Sequence, residues 1–303
     1  MQEYKCKVCG TRFNRKKGTL LEGLCTPLSI IITAIMMYMC RMSVSAIALV
    51  LGKQEKTIER WIKKISPHCE DIIKHKLNRK NHNFISRFLQ MDELWSYAWK
   101  KNAKLWIWTG IDITTRLFIA FHIGDRTIGS AEKLIKTIKA RTNDIPTLIT
   151  TDGFSAYIEP INKFFKKSMY AQVVKVLKGW HIVKVTKTVI SDHLIEQIEK
   201  FIKKLGNVGR TINTSYVERF NLTLRQSLCS LVRKTLSAVK MKDELRGQTY
   251  IFQAYYNFIR PHMSLTIGKG KGKLKGTPAM AAGLTDCMWN WEEMLTYHPN
   301  YHY

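Results

Sequence analysis

Three acidic residues sit in settings where a carboxylate could bind a cation. Asp92 lies within Phe88 to Trp99, an apolar and aromatic run that predicts a strand at the centre of a sheet. Alternation places Asp92 on one face with Phe88, Leu94 and Ala98, and Glu93 on the other with Leu89, Met91, Trp95 and Tyr97. The expectation is therefore that Asp92 and Glu93 cannot hold the same metal ion. A carboxylate in so apolar a strand must be paired, protonated or bound to a cation, because an isolated buried charge is strongly disfavoured. An Asp that ends a strand or pairs with a core lysine is the plainer alternative. Asp152, with Gly153, ends the short apolar run Pro146 to Thr151. That is the carboxyl edge of a sheet, where open α/β sheets bind ligands, although Asp-Gly also suits simple turn chemistry. Glu218 falls in Asn213 to Arg225, which should start a helix with Glu218, Asn221, Leu222 and Arg225 on one face. Ser215 three residues earlier makes a capping box that would occupy the glutamate. A first-turn glutamate can still lean toward a cation at the sheet edge.

The elements that would position these residues follow from periodicity. Leu105 to Ile113 and Arg116 to Ile123, joined at Thr114-Thr115, extend the first strand into an antiparallel trio. Ser130 to Ala140 has helical spacing, and Asp112, at the end of the second strand, is the main rival ligand. Met169 to Val189 is basic and without a decisive period, except that His181 to Val189 alternates like a strand. Ser191 to Leu205 is an amphipathic helix ended by Gly206, and Tyr250 to Ile259 an aromatic core helix stopped at Arg260-Pro261-His262. Gly268 to Gly276 is a flexible basic loop suited to phosphate contact, and Trp289 to Met294 a short closing helix.

Lysine and arginine outnumber acidic residues 49 to 23 over 303 residues, a formal charge of +26. Such a balance points to a polyanionic partner, nucleic acid first. No run approaches the ~20 apolar residues of a spanning helix. The longest, Leu28 to Cys40, follows Thr26-Pro27 and reads as a buried helix. Seven scattered cysteines fit a reducing cytoplasm. Residues 1–25 carry Cys6-Lys-Val-Cys9-Gly10, half of a zinc ribbon; with no second Cys-x-x-Cys, zinc binding is doubtful. Residues 26–65 read as a helix-turn-helix, with Ser43 as N-cap, Gly52 as the break and Ile58, Trp61, Ile62 and Ile65 as the buried stripe of its last helix. Gln54, Lys56, Thr57, Arg60 and Lys64 then face outward, where they can reach base edges and phosphates. Residues 66–87 read as a basic linker whose His68, His75 and His82 are solvated.

In order and spacing, Met91-Asp-Glu-Leu-Trp95, Trp106-Ile-Trp-Thr-Gly-Ile-Asp112, Gly124-Asp-Arg-Thr127, Thr151-Asp-Gly-Phe-Ser-Ala-Tyr157, Val217-Glu-Arg-Phe-Asn-Leu-Thr-Leu-Arg225 and Tyr256-Asn-Phe-Ile-Arg-Pro-His262 with Thr277-Pro-Ala279 resemble the Asp-Asp-Glu transposases of bacterial insertion sequences. The resemblance covers nearly the whole chain. It implies an α/β ribonuclease-H-like core, a mixed central sheet flanked by helices, over 88–265, after the all-α helix-turn-helix, with a basic loop and terminal helix over 266–303. It also implies Asp92, Asp152 and Glu218 as catalytic residues and ligands for two Mg2+ or Mn2+ ions, since paired divalent ions serve in-line phosphoryl transfer and prefer hard oxygen donors. Asp92 would bridge the ions, Asp152 and Glu218 would hold one each, and the pattern assigns Asp112 no metal. Arg219, Arg225, Arg233 and Lys234 would face phosphates.

The function so implied is binding of terminal inverted repeats, metal-dependent cleavage and strand transfer into target DNA. The chain would act at least as a dimer, in the bacterial cytoplasm at the nucleoid and away from membranes. A catalytically inactive DNA-binding repressor derived from a transposase is the alternative. A nuclease on the same core is a third reading, which leaves the helix-turn-helix without a task.

Overall fold

The computed structural model describes residues 3–14, 17, 19–98, 100–178, 181–232, 241–267 and 274–297. It opens with a small hairpin, β1 (Glu3–Lys5) and β2 (Arg12–Asn14), that carries Cys6 and Cys9 in its turn. Three helices follow: α1 (Leu28–Met39), α2 (Val44–Leu51) and α3 (Glu55–Lys76). Ser43 caps α2 by accepting the Ala46 N–H at 3.2 Å, and Gly52 ends it at φ 59°, a left-handed turn that favours glycine.

The stretch expected as a linker from Ser66 continues α3 for three more turns. Cys69, Ile72 and Ile73 extend the buried stripe of Ile58, Trp61, Ile62 and Ile65, and this burial outweighs the cost of Pro67 inside the helix. The histidines of this stretch are half-buried. His68 bonds the Met294 carbonyl at 2.9 Å, His75 packs on Tyr297, and burial lowers the pKa of His82.

The central sheet comes from β3 (Phe88–Ala98), β4 (Lys100–Asp112), β5 (Phe118–Gly124), β6 (Leu148–Asp152), β7 (Met169–Lys178) and β8 (His181–Val189). Its order is β5-β4-β3-β6-β7-β8. The first three strands are antiparallel, β6 joins β3 in parallel, β7 joins β6 in parallel, and β8 returns antiparallel at the edge. The ambiguous basic stretch from Met169 is thus a hairpin whose inner strand is buried on both faces near its start, which hides the period-two signal. Asp112 is enclosed at the β4–β5 turn by Ser86, Thr114 and Thr115. Their hydroxyls, with the Thr115 N–H, donate to its carboxylate at 2.5–2.8 Å.

Helices α4 (Ile128–Arg141) and α5 (Ile158–Phe164) cover one face of the sheet. After α6 (Ile195–Leu205), helices α7 (Ser215–Ser227) and α8 (Lys242–Ala254, continued by a π-turn over Tyr255–Ile259) cover the other. Phe118, Phe220 and Phe252 pack between sheet and helices there. α3 lies against α8, where Glu70 pairs with Arg246. Two short strands, β9 (Thr266–Ile267) and β10 (Leu274–Lys275), and two short helices, α9 (Pro278–Ala281) and α10 (Trp291–Thr296), finish the chain, α10 resting on α1 and α3. The mixed sheet between two helical layers has the α/β architecture, a mixed central sheet flanked by helices, that the resemblance implies. No helix among the described residues is long and apolar enough to cross a membrane.

Candidate active site

The parallel register of β3 and β6 brings the two aspartates together. Phe88 pairs with Leu148, Leu89 with Ile149 and Gln90 with Thr150, and two more steps align Asp92 with Asp152 on the same face. The β3–β6 pairing stops at Gln90, so beyond it β3 is bonded only to β4. Likewise β6 ends at Asp152, opposite Val173, and β7 runs on with only β8 beside it. A gap one strand wide opens above Asp152. Gly153 lets the chain turn away there: a Cβ at that position would lie 2.6 Å from Val174 Cγ2.

Asp92 is held from two sides. Its Oδ1 accepts the Glu93 N–H at 2.8 Å, and its Oδ2 accepts Asn221 Nδ2 at 2.9 Å. Thr109 fixes the Asn221 amide by donating to its Oδ1 at 3.0 Å. Burial, then the charges of Asp152 and Glu93, push the Asp92 pKa from 3.8 up to about 7. Burial also raises Asp152 against the Phe154 N–H that bonds it, with the nearby Glu218 charge adding to the rise.

Glu93 overturns the expectation from strand alternation. One ligand oxygen each from Asp92, Glu93 and Asp152 lie within 4.8 Å of one another. The backbone does alternate, and Glu93 sits on the α4 side, where Arg126 Nε and Nη2 reach its Oε1 at 2.8 and 2.6 Å and Tyr157 donates to Oε2 at 3.1 Å. Past Gln90, however, no strand separates the two faces, and both carboxylates converge around the free edge. Arg126 itself lies over the rings of Phe154 and Trp106, 4.0 and 4.8 Å from their centres.

Glu218 stands on the first turns of α7, on the aspartate side of the sheet. It is outside the group of three, its Oε1 bonded by Lys175 Nζ and, at 2.5 Å, by Thr214 Oγ1. The expected capping box at Ser215 does not form. Thr214 is the N-cap, because Asn213 Oδ1 accepts the Ser215 N–H and hydroxyl and starts the helix one residue earlier. Gln90 anchors this end of α7 by accepting the Val217 N–H and donating to the Asn213 carbonyl. A cleft of about 590 Å3 runs from Asp92, Glu93 and Glu218 along α7 to Arg225, Leu231 and Arg41.

The remaining predicted residues are spread around this site. Arg219 is exposed beside Glu218. Arg225 lines the cleft and donates to the Leu231 and Trp95 carbonyls at 3.0 and 3.1 Å. Arg233 and Lys234 lie outside the described residues. Gln54, Lys56 and Arg60 are exposed at the start of α3 with Thr57 half-buried, while Lys64 reaches the Glu22 carbonyl at 2.5 Å. Cys9 is exposed, 3.2 Å from the Thr11 hydroxyl, which lowers its thiol to about 7. Among the described residues no third ligand joins Cys6 and Cys9. Sequence reasoning gave no site role to Glu93, Arg126, Asn221 and Lys175, although Arg126 lies in the quoted stretch Gly124-Asp-Arg-Thr127 and Asn221 shares a helix face with Glu218.

The donor set suits a hard divalent cation: clustered carboxylate oxygens with raised pKa values, of which Arg126 bonds only Glu93. A family model described as IS1 transposase matches residues 85–178. Insertion element IS1 protein InsB of Shigella flexneri is 25% identical over 161 residues, 52% of this chain and 89% of that protein. Of solved structures, the Mos1 strand transfer complex aligns over 70% of this chain and 70% of that one, at 9% identity and a TM-score of 0.22. An endonuclease V of Bacillus subtilis aligns over 60% and 92%, at 12% and 0.22. Overlap of that extent adds nothing to the strand order, on which the fold stands.

Proposed function

We propose that the chain is an insertion-sequence transposase, as the IS1 matches suggest, that binds its element's terminal inverted repeats and cuts and joins DNA strands at a carboxylate-held metal site. The observation that carries this is the alignment of Asp92 with Asp152 at a gap in the sheet, with Glu93 among the clustered oxygens and Glu218 on the adjoining helix. Asp92, Asp152 and Glu218 would hold Mg2+ or Mn2+, with Glu93 a fourth oxygen donor at hand. Two such ions would supply stabilisation of the attacking and leaving oxygens of an in-line displacement.

The chain's own residues do the rest. Asn221, oriented by Thr109, fixes the angle of the Asp92 carboxylate. Arg126 pairs with Glu93 from the far face and its charge also favours ionised Asp152, while Asp92 is held by the Glu93 N–H and the Asn221 amide and is bonded by no cation among the described residues. The exposed start of α3 would read an element end through Gln54, Lys56, Thr57 and Arg60, and Arg219 would hold a phosphate next to the chemistry. Synapsis of two ends calls for at least two copies.

Strand transfer with matched terminal repeats in Mg2+ or Mn2+ tests this. Asp92→Asn, Asp152→Asn and Glu218→Gln are each expected to lose cleavage and joining while keeping end binding. Full activity in any one of them removes that residue from the site. Wild-type protein that binds ends, is indifferent to chelation and nicks nothing would be the non-catalytic repressor instead.

A further inference from the structure

We propose that Lys175 is a latch on Glu218 that DNA opens. In the free protein its ammonium holds the third carboxylate apart from the aspartate pair, and a backbone phosphate takes the ammonium in exchange, freeing Glu218 to complete the metal site. The latch presupposes the reading of Asp92, Asp152 and Glu218 as one site.

Placement makes the exchange possible. Val173 pairs with Asp152, and Lys175, two residues on, lies on the same face, beyond the end of β6 where the sheet is open. Glu218 Oε1 accepts from Lys175 Nζ and from Thr214 Oγ1, and its oxygens are not within the 4.8 Å group. It lines the same cleft as Asp92 and Glu93, so a turn of its side chain toward them would bring it in.

Exposure makes the latch weak. The Lys175 and Glu218 side chains are 31% and 43% exposed, and a pair so placed is screened by water and salt. Glu93 is different: its side chain is 1% exposed, with Arg126 and Tyr157 both bonded to it. The site thus has one fixed counter-ion and one labile one. The labile one stands where a strand crossing the gap must pass, on a hairpin that also exposes Lys178 and Lys184. Lysine suits this task, as a flexible point charge that binds phosphate without a fixed geometry.

The test is Mn2+ binding to the full chain, followed by the electron paramagnetic resonance of free Mn2+, with and without saturating duplex of the element's own end sequence. Wild type is expected to tighten its weaker Mn2+ site about tenfold on adding DNA, within the usual range of coupling between sites. Lys175→Met should show the tight value without DNA and gain less than about twofold from it, whereas Lys175→Arg should keep the dependence. Lys175→Ala replaces the Met variant if melting curves show that one misfolded. A lost positive charge alone would also favour a cation, so the cycle with Glu218→Gln decides: in that background the Lys175→Met effect should vanish. An effect that persists there, or a DNA response undiminished in Lys175→Met, overturns the latch. Failure of the underlying site looks different: Asp152→Asn would then bind Mn2+ as wild type does.

Discussion

Neutralising Asp92 should stabilise the metal-free protein, by an amount that the site's geometry sets. Its pKa rises from 3.8 unfolded to about 7 folded, so the folded state binds more protons over that window and loses stability as pH rises through it. Below 3.8 the effect is absent, and above about 7 it is complete. At ~1.4 kcal/mol per tenfold change in proton affinity, the ionised carboxylate costs ~4 kcal/mol. Asp92→Asn removes that cost but loses a bond. Asp92 accepts one hydrogen bond on each oxygen, from Glu93 N and Asn221 Nδ2, and an amide keeps only one acceptor oxygen. Subtracting ~1 kcal/mol for that leaves a net gain of ~3 kcal/mol at pH 8. The assay is urea unfolding of both proteins in a chelator at pH 4, 6 and 8. The difference between them should grow with pH and reverse slightly at pH 4. Mg2+ at ~100 times its dissociation constant should then restore ~2.7 kcal/mol to wild type and little to the variant. A difference that is flat from pH 4 to 8, or a variant no more stable at pH 8, would refute the claim that Asp92 sits in an uncompensated acidic cluster.

Three further outcomes follow from named contacts. Asn221→Ala should weaken Mn2+ binding and cleavage ~10- to 100-fold with little change in DNA binding, since its amide orients the Asp92 carboxylate; titration of Mn2+ beside a cleavage assay reads both. Arg60→Ala, on the exposed start of α3, should weaken duplex binding and, if it meets a phosphate, flatten the salt dependence by about one unit of slope. Asp112→Asn should lower stability by ~2 kcal/mol, because four donors converge on a charged carboxylate, yet leave Mn2+ affinity unchanged. A loss of metal there would return Asp112 to the site.

The antiparallel trio and α4 were legible because their apolar residues keep one period and their turns carry recognisable residues, as at Thr114-Thr115. Two regions were not. The second half of α3 was hidden by Pro67 and by a run of charges on its solvent side, although Cys69, Ile72 and Ile73 keep the helical spacing that buries it. β7 was hidden because Tyr170, Ala171, Gln172 and Val173 are buried at consecutive positions, then give way to the half-exposed hairpin tip, so no single alternation runs through it. The start of α7 was misplaced by one residue because Asn213 Oδ1 takes the Ser215 N–H and hydroxyl while Gln90, distant in sequence, takes the Val217 N–H that a Ser215 cap would use.

The site itself is a consequence of unequal strand lengths, which local patterning does not encode. β6 stops at Asp152 while β3 and β7 on either side run on. Two strand spacings, roughly 9 to 10 Å, therefore separate β3 from β7 across the open end. Asp152 forms the floor of that notch, Asp92 and Glu93 line one wall, Lys175 stands on the other, and Glu218 reaches in from α7. The alternation rule that set Glu93 apart from Asp92 assumes a neighbour on both sides of the strand; with one missing, the two faces meet. Extending β6 by two residues would restore the ladder, part the carboxylates and fill the notch between β3 and β7. The short β6 is what turns an ordinary parallel sheet edge into a place where acidic groups of distant origin can share a cation.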